Sequence, residues 1–243
     1  MKIINTSNRK SENLFKWKHF FSEIILLCIR WYLKYKLSFR DLVEMMAERG
    51  LSIVHTTIMR WVHQFSPEIN KRIRRYLKSS TDSYRLDETY IKIKGKWYYL
   101  FRAVDSKGNT LDFLLSAKRD KKAAKRFLKK VMDNPHATKP RVINTDKAPS
   151  YPPAINKLKE ENKLDKKVQH RPIQYLNNIL EQDHRFIKWL INPMMGFNSF
   201  KTANWIIQGI EAMQMIRKNQ VKDFFKSYKN DKVFIEKLFG IAA

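Results

Sequence analysis

The chain has 243 residues, room for one large domain or a medium domain with an appendage, and 43% of it is apolar, enough for a packed core. Lysine and arginine number 49 against 23 aspartates and glutamates, a formal net charge of +26. That surplus is too large for an ordinary metabolic enzyme, and it predicts a polyanionic partner, nucleic acid first and an anionic membrane surface second.

The first residues, 1–13, are polar and read as loose, with no signal-peptide apolar core. Phe15 to Phe21 is an aromatic and basic lead-in. A helix is expected from about Ser22, where Ile24, Leu27, Cys28, Trp31 and Tyr35 recur at three- and four-residue spacing. Its apolar run, Ile24 to Ile29, is far short of the roughly 20 residues that span a bilayer, so no membrane partner is expected. Cys28 is the only cysteine; it excludes an intramolecular disulfide, makes the cytosol the default compartment and reads as core.

A second helix is expected after Ser38, with Asp41 as its capping-box partner, and Gly50 stops it. A third runs to about Phe65, with Ile58, Trp61, Val62 and Phe65 inward and Ser66-Pro67 closing it. Two helices joined by a Gly-containing turn make a helix-turn-helix or a plain helical hairpin. The net charge favours the first, which makes the outward His55, Thr56, Thr57 and Arg60 candidate contacts to DNA base edges. The basic run Lys71 to Arg75 is a candidate phosphate-contacting connector. Ser79 to Ser83 is turn-rich and marks a boundary. The expected division is 1–80 for a helical DNA-binding region, 81–220 for a catalytic domain and 221–243 for a helical tail.

The middle of the chain is mixed. Strands are expected at about 85–94, 97–105 and 110–117, with Gly95 in the first tight turn. Trp97, Tyr98 and Tyr99 read as core aromatics. A helix follows at about 120–134, a short strand at 141–145 ending on Asp146, and a helix from Tyr151 to about Lys163. Val168 to His170 is a short strand, and helices follow at 178–191 and 199–218. Three meandering strands, then helix, strand, helix, strand, helix, is the order of an α/β ribonuclease H-like fold, a mixed five-stranded sheet with helices. Asp87 on the first strand and Asp146 at the end of the fourth then become neighbours, and Glu181 opens the helix after the fifth. Alone, Asp87 reads first as a structural carboxylate, on a wet face or paired to a nearby lysine, and only second as a catalytic one. Glu88, next along the strand, points to the opposite face and reads as structural. A cluster of hard carboxylate oxygens suits Mg²⁺ or Mn²⁺ rather than zinc, and two such ions can support an in-line phosphoryl displacement.

Asp87-Glu-Thr-Tyr-Ile-Lys92, Asn144-Thr-Asp-Lys-Ala-Pro-Ser-Tyr151 and Asn177-Asn-Ile-Leu-Glu-Gln-Asp-His-Arg-Phe-Ile-Lys188 closely resemble the DDE transposases of the IS6 family of bacterial insertion sequences. The resemblance runs from about Phe15 to Lys218 and includes the helix-turn-helix segment Ser38 to Gly50. It implies a catalytic and metal-binding triad of Asp87, Asp146 and Glu181, with 34 residues between the last two, and a DNA-contacting basic residue at Lys188, two helical turns beyond Glu181 on the same face. His184, three residues from Glu181, reads as a substrate contact or a structural hydrogen bond. Lys147 and Tyr151 read as DNA-positioning. Trp189 departs from the family pattern, which has a basic residue there.

The resemblance further implies recognition of terminal inverted repeats and metal-dependent nicking to free 3′-hydroxyls. Those ends would then be transferred into target DNA, by a replicative, cointegrate-forming route. The expected ligands are Mg²⁺ or Mn²⁺, two ions, and the expected partners are DNA and further copies of the chain. A bacterial cytoplasmic, nucleoid-associated location follows. The alternative is a helix-turn-helix DNA-binding relative that has lost its chemistry. A nuclease acting on RNA–DNA hybrids shares the active-site physics but leaves the helix-turn-helix unexplained.

Overall fold

The computed structural model describes residues 14–173, 178–192, 197–222 and 228–241. The loose start expected at 1–13 lies outside them, as does Asn177 of the third motif. The chain forms two compact units, one of residues 1–76 with 205–243 and one of residues 77–204.

The first unit is helical. Helix α1 spans Ser22–Lys34, α2 Phe39–Ala47 and α3 His55–Ile73. Ser38 and Asp41 close a reciprocal capping box on α2, with Ser38 N–H donating to Asp41 Oδ2 at 2.7 Å and Asp41 N–H to Ser38 Oγ at 3.1 Å. Gly50 ends that turn at φ +72°, a left-handed conformation that favours glycine. Helix α3 does not stop at Ser66-Pro67 as expected; Pro67 lies inside it. A proline inside a helix costs about 3 kcal/mol, because the carbonyl one turn back loses its donor. Here Phe65, Ile69 and Ile73 continue one fully buried face, and that packing outweighs the loss. The basic run therefore straddles the end of α3 and a 3₁₀ turn at Arg74–Tyr76. Cys28 is core, as expected, and burial pushes its thiol up to about 11.

The second unit is built on a sheet. Strand β1 spans Ser83–Ile93, β2 Lys96–Asp105 and β3 Thr110–Ser116. The β1–β2 turn has two residues, Lys94 at φ +48° and Gly95 at φ +76°, the two positive angles of a type I′ hairpin. It sets the register, pairing Ile93 with Lys96 and therefore Asp87 with Arg102. The β2–β3 turn is held by Asp105, which accepts the Lys107 and Asn109 N–H groups, each at 2.9 Å. Helix α4 (Lys121–Met132) is capped by Asp120, which accepts from Ala123 N–H at 2.8 Å. Strand β4 (Val142–Thr145), helix α5 (Tyr151–Glu160), strand β5 (Gln169–Pro172) and helix α6 (Asn178–Ile191) follow. Helix α7 (Phe200–Arg217) leads from this unit into the first, where α8 (Tyr228–Leu238) completes the helical set.

The strand order is β3-β2-β1-β4-β5, antiparallel across the first three strands and parallel from β1 to β4 and β5. With its helices, this is the ribonuclease H-like arrangement. Tyr84 and Leu86 of β1, and Phe101 and Ala103 of β2, pack on one face with Phe127 of α4 and Tyr151 of α5. Alternation sends Asp87 and Arg102 to the other face, where α6 lies against β1 and β2.

Candidate active site

The parallel β1–β4 pairing ends with Leu86 beside Thr145. One residue further along, Asp87 within β1 and Asp146 just past the end of β4 come together, two carboxylates that lie 59 positions apart in sequence. Glu88 joins them. It points toward the α4–α5 face, yet β4 has ended there, and one carboxylate oxygen from each of Asp87, Glu88 and Asp146 lies within 4.8 Å of the others. Glu88 was expected to point to the opposite face and be structural; it does point there, and the early end of β4 is the physical reason that its carboxylate still reaches Asp146.

Each carboxylate is oriented by neighbours. Asp146 Oδ1 accepts Ala148 N–H at 3.0 Å and its Oδ2 accepts Arg119 Nη2 at 3.1 Å. Arg119 also pairs with Glu88 through Nε. Glu88, with its side chain 2% exposed, accepts the Tyr151 hydroxyl at 2.5 Å. Asp87 Oδ1 accepts Glu88 N–H at 2.8 Å, and His184 Nε2 of α6 stands 3.3 Å from Asp87 Oδ2. Burial raises the Glu88 carboxyl above its ordinary range, against the pull of Tyr151 and Arg119. Burial also raises Asp146, reinforced by the charge of Asp87 and opposed by the Ala148 N–H and Arg119. One guanidinium thus faces three carboxylates, and the cluster is short of positive charge. Clustered carboxylate oxygens lacking counter-charge fit a hard divalent cation.

Helix α6 is fixed from β2. Arg102 is fully buried, and its Nη2 lies 3.5 Å from Asp183 Oδ2. This pair and the His184–Asp87 approach set the face of α6 that carries Glu181, which is exposed in the first turn. Glu181 is not one of the three carboxylates within 4.8 Å of each other among the described residues. Lys188 is exposed two turns further on. In the helical unit, His55 and Arg60 are exposed near the start of α3, and Thr56 and Thr57 are half-buried.

Two aromatic assignments change. Tyr151, expected to position DNA, is buried and committed to Glu88. Trp97, expected in the core, is 61% exposed, and Tyr98 and Tyr99 are only half-buried, because the β1–β2 hairpin runs on beyond the helices that cover the sheet. Arg119 escapes a sequence reading, since nothing in its surroundings marks it. The Arg102–Asp87 juxtaposition was within reach, because a two-residue turn at Lys94-Gly95 fixes which residues oppose each other.

The family model for the DDE domain of IS240-type transposases matches residues 81–220. The transposase of the insertion sequence-like element IS431mec from Staphylococcus aureus strain Mu50 is 39% identical over 206 residues, covering 85% of this chain and 89% of that protein. The transposase of IS257 in transposon Tn4003 from Staphylococcus aureus has the same identity and coverage. Among solved structures, the HTLV-2 integrase catalytic core domain in complex with magnesium (trimeric form) is 19% identical, with a TM-score of 0.41, over 54% of this chain and 84% of that one. A simian T-cell lymphotropic virus intasome is 16% identical, with a TM-score of 0.42, over 74% of this chain and 61% of that one. The chain belongs to the IS6 family of DDE transposases, the IS240 type.

Proposed function

We propose that the protein binds the terminal inverted repeats of its element, nicks DNA to free 3′-hydroxyls and joins those ends to target DNA by a replicative, cointegrate-forming route. The observation that carries this reading is the convergence of Asp87, within β1, and Asp146, just past the end of β4, in a cluster of three carboxylates faced by one guanidinium. Asp87 and Asp146 would hold the metal, with Glu181 brought in from α6 as the third ligand. Two Mg²⁺ or Mn²⁺ ions, when bound, supply activation of the attacking oxygen and charge stabilisation of the leaving oxygen. Arg119 and the Ala148 N–H keep Asp146 pointed into the cluster, and the Arg102–Asp183 pair holds the Glu181 face of α6 in register. Lys188 contacts DNA beside the reacting phosphate. His55, Thr56, Thr57 and Arg60 of α3 read the repeat sequence, as expected of a helix following a tight turn. Two DNA ends must be handled together, which requires more than one copy of the chain. A bacterial cytoplasmic, nucleoid-associated location accompanies this role, and no helix among the described residues is long and apolar enough to cross a membrane.

The test is a cell-based cointegration assay with the gene flanked by its own DNA ends. Wild type is expected to yield cointegrates, whereas Asp87→Asn, Asp146→Asn and Glu181→Gln each reduce them to background and keep end binding in a gel shift. Near-normal transposition by any of the three removes that residue from the triad. End binding without cointegrates from wild type would point instead to a DNA-binding relative without chemistry.

A further inference from the structure

Beyond Leu86, strand β1 has lost its β4 neighbour and continues in its hairpin with β2. On the face that carries Glu88, the next residues of β1 are Tyr90 and Lys92. The register places Tyr99 opposite Tyr90 and Trp97 opposite Lys92. The result is an aromatic ladder. The Tyr90 and Tyr99 ring centroids are 5.3 Å apart, those of Tyr90 and Trp97 are 6.2 Å apart, and Lys92 Nζ sits 5.7 Å from the Trp97 ring. Tyr90 is 47% exposed and Trp97 61%, high values for rings of this size. Tyr90, Trp97 and Tyr99 line a cleft of about 760 Å³ together with Lys188 and Ile191 of α6. A strand advances about 3.3 Å per residue, so Tyr90 begins the ladder roughly 7 Å along β1 from Glu88 of the acidic cluster.

The chemistry of this cleft selects its occupant. Lysine is depleted at the cores of protein–protein interfaces, yet Lys92 of β1 and Lys188 of α6 both line this cleft, so an anionic ligand fits better than a protein face. Exposed ring faces beside lysines suit stacking of unpaired bases with their phosphates neutralised alongside, whereas a duplex keeps its base faces hidden. Resting on the reading of this chain as a DNA-cutting transposase, we propose that the Tyr90–Trp97–Tyr99 ladder with Lys92 and Lys188 is a binding site for unpaired nucleotides of the DNA strand adjoining the reacting phosphodiester. Its function is to hold a strand end out of the duplex while Asp87 and Asp146 address the neighbouring phosphate.

The experiment uses the full chain and fluorescence anisotropy with two labelled probes of equal length, single-stranded oligo(dT) and a duplex of arbitrary sequence. Trp97→Ala is expected to weaken oligo(dT) binding on the order of ten- to a hundredfold, with duplex binding changed by less than about twofold and Trp97→Phe retaining most single-strand affinity. Because Trp97 is exposed, the melting temperature of each variant should match wild type, which separates lost stacking from lost folding. Unchanged oligo(dT) binding, or equal loss for both probes, overturns the proposal. A change in oligomeric state of Trp97→Ala by sedimentation, with oligo(dT) binding intact, also overturns it and assigns the ladder to another copy of the chain. Nicking of a plasmid carrying the gene and its flanks, measured in wild type and Asp146→Asn, tests the transposase reading separately, so either can fail while the other stands.

Discussion

Arg119 places one guanidinium between two carboxylates, Glu88 and Asp146, that a divalent cation would also seek. In the absence of metal it is the charged donor to the buried Glu88, whose other side-chain donor is the neutral Tyr151 hydroxyl. Removing it leaves a desolvated carboxylate with one neutral donor, a loss of about 1–3 kcal/mol. Arg119→Ala is therefore expected to lower the melting temperature in chelator and to show a larger gain than wild type on adding Mg²⁺, as the ion takes over the missing charge. Scanning fluorimetry with and without metal reads both effects. Equal Mg²⁺ gains in the two proteins would mean that Arg119 does not share the cation's position.

Among the elements, α7 is closely packed within the helical unit at Gly209. A Cβ on Gly209 would come within 2.7 Å of Leu33 Cδ1, Ser66 Cβ and Ser66 Oγ, closer than real contacts allow. Ser66 cannot easily yield, since its Oγ already donates to the Val62 carbonyl at 2.6 Å. Gly209→Ala is expected to destabilise the protein by about 1–3 kcal/mol through overpacking, despite the better helix propensity of alanine. Gly50→Ala meets no neighbour and is expected to lose about 1 kcal/mol from its positive φ alone. Urea denaturation of the two variants separates crowding from backbone strain. A stabilised Gly209→Ala would show that α1 and α3 have slack there.

For the whole molecule, the net charge of +26 is expected to dominate the proposed binding of DNA. Phosphate contacts release counterions, so non-specific duplex affinity is expected to fall about a thousandfold or more between about 50 and about 200 mM salt if six or more phosphates are neutralised. Anisotropy titrations across that range give the slope. A flat dependence would mean that the basic residues face one another or another copy of the chain instead of DNA. The helical unit is also a whole-chain construction. Residues 205–243 return to pack with residues 1–76: Arg72 donates to the Leu238 carbonyl at 2.7 Å and lies over the Phe239 ring, and Lys34 pairs with Asp231.

Local chemistry made much of this readable from the chain alone. The Ser38/Asp41 cap, the turn glycines, the alternation of β1 and β2 and the end of β4 at Asp146 are decided within a few residues, by backbone angles and hydrogen bonds that neighbours supply. The order of elements then settled the sheet, because a three-strand meander followed by helix–strand–helix–strand has few unknotted solutions. Only the tertiary structure decided the rest. Pro67 stays in α3 because Ile69 and Ile73 find a core, not because of its own preference. Glu88 joins the acidic cluster because the pairing of β1 with β4 stops at Leu86, and Arg119 reaches Glu88 from a loop 31 positions along the chain. Trp97 is exposed because the covering helices stop short of the hairpin tip. Each of these depends on what lies across a gap in space, and side-chain type and spacing along the chain carry no record of that.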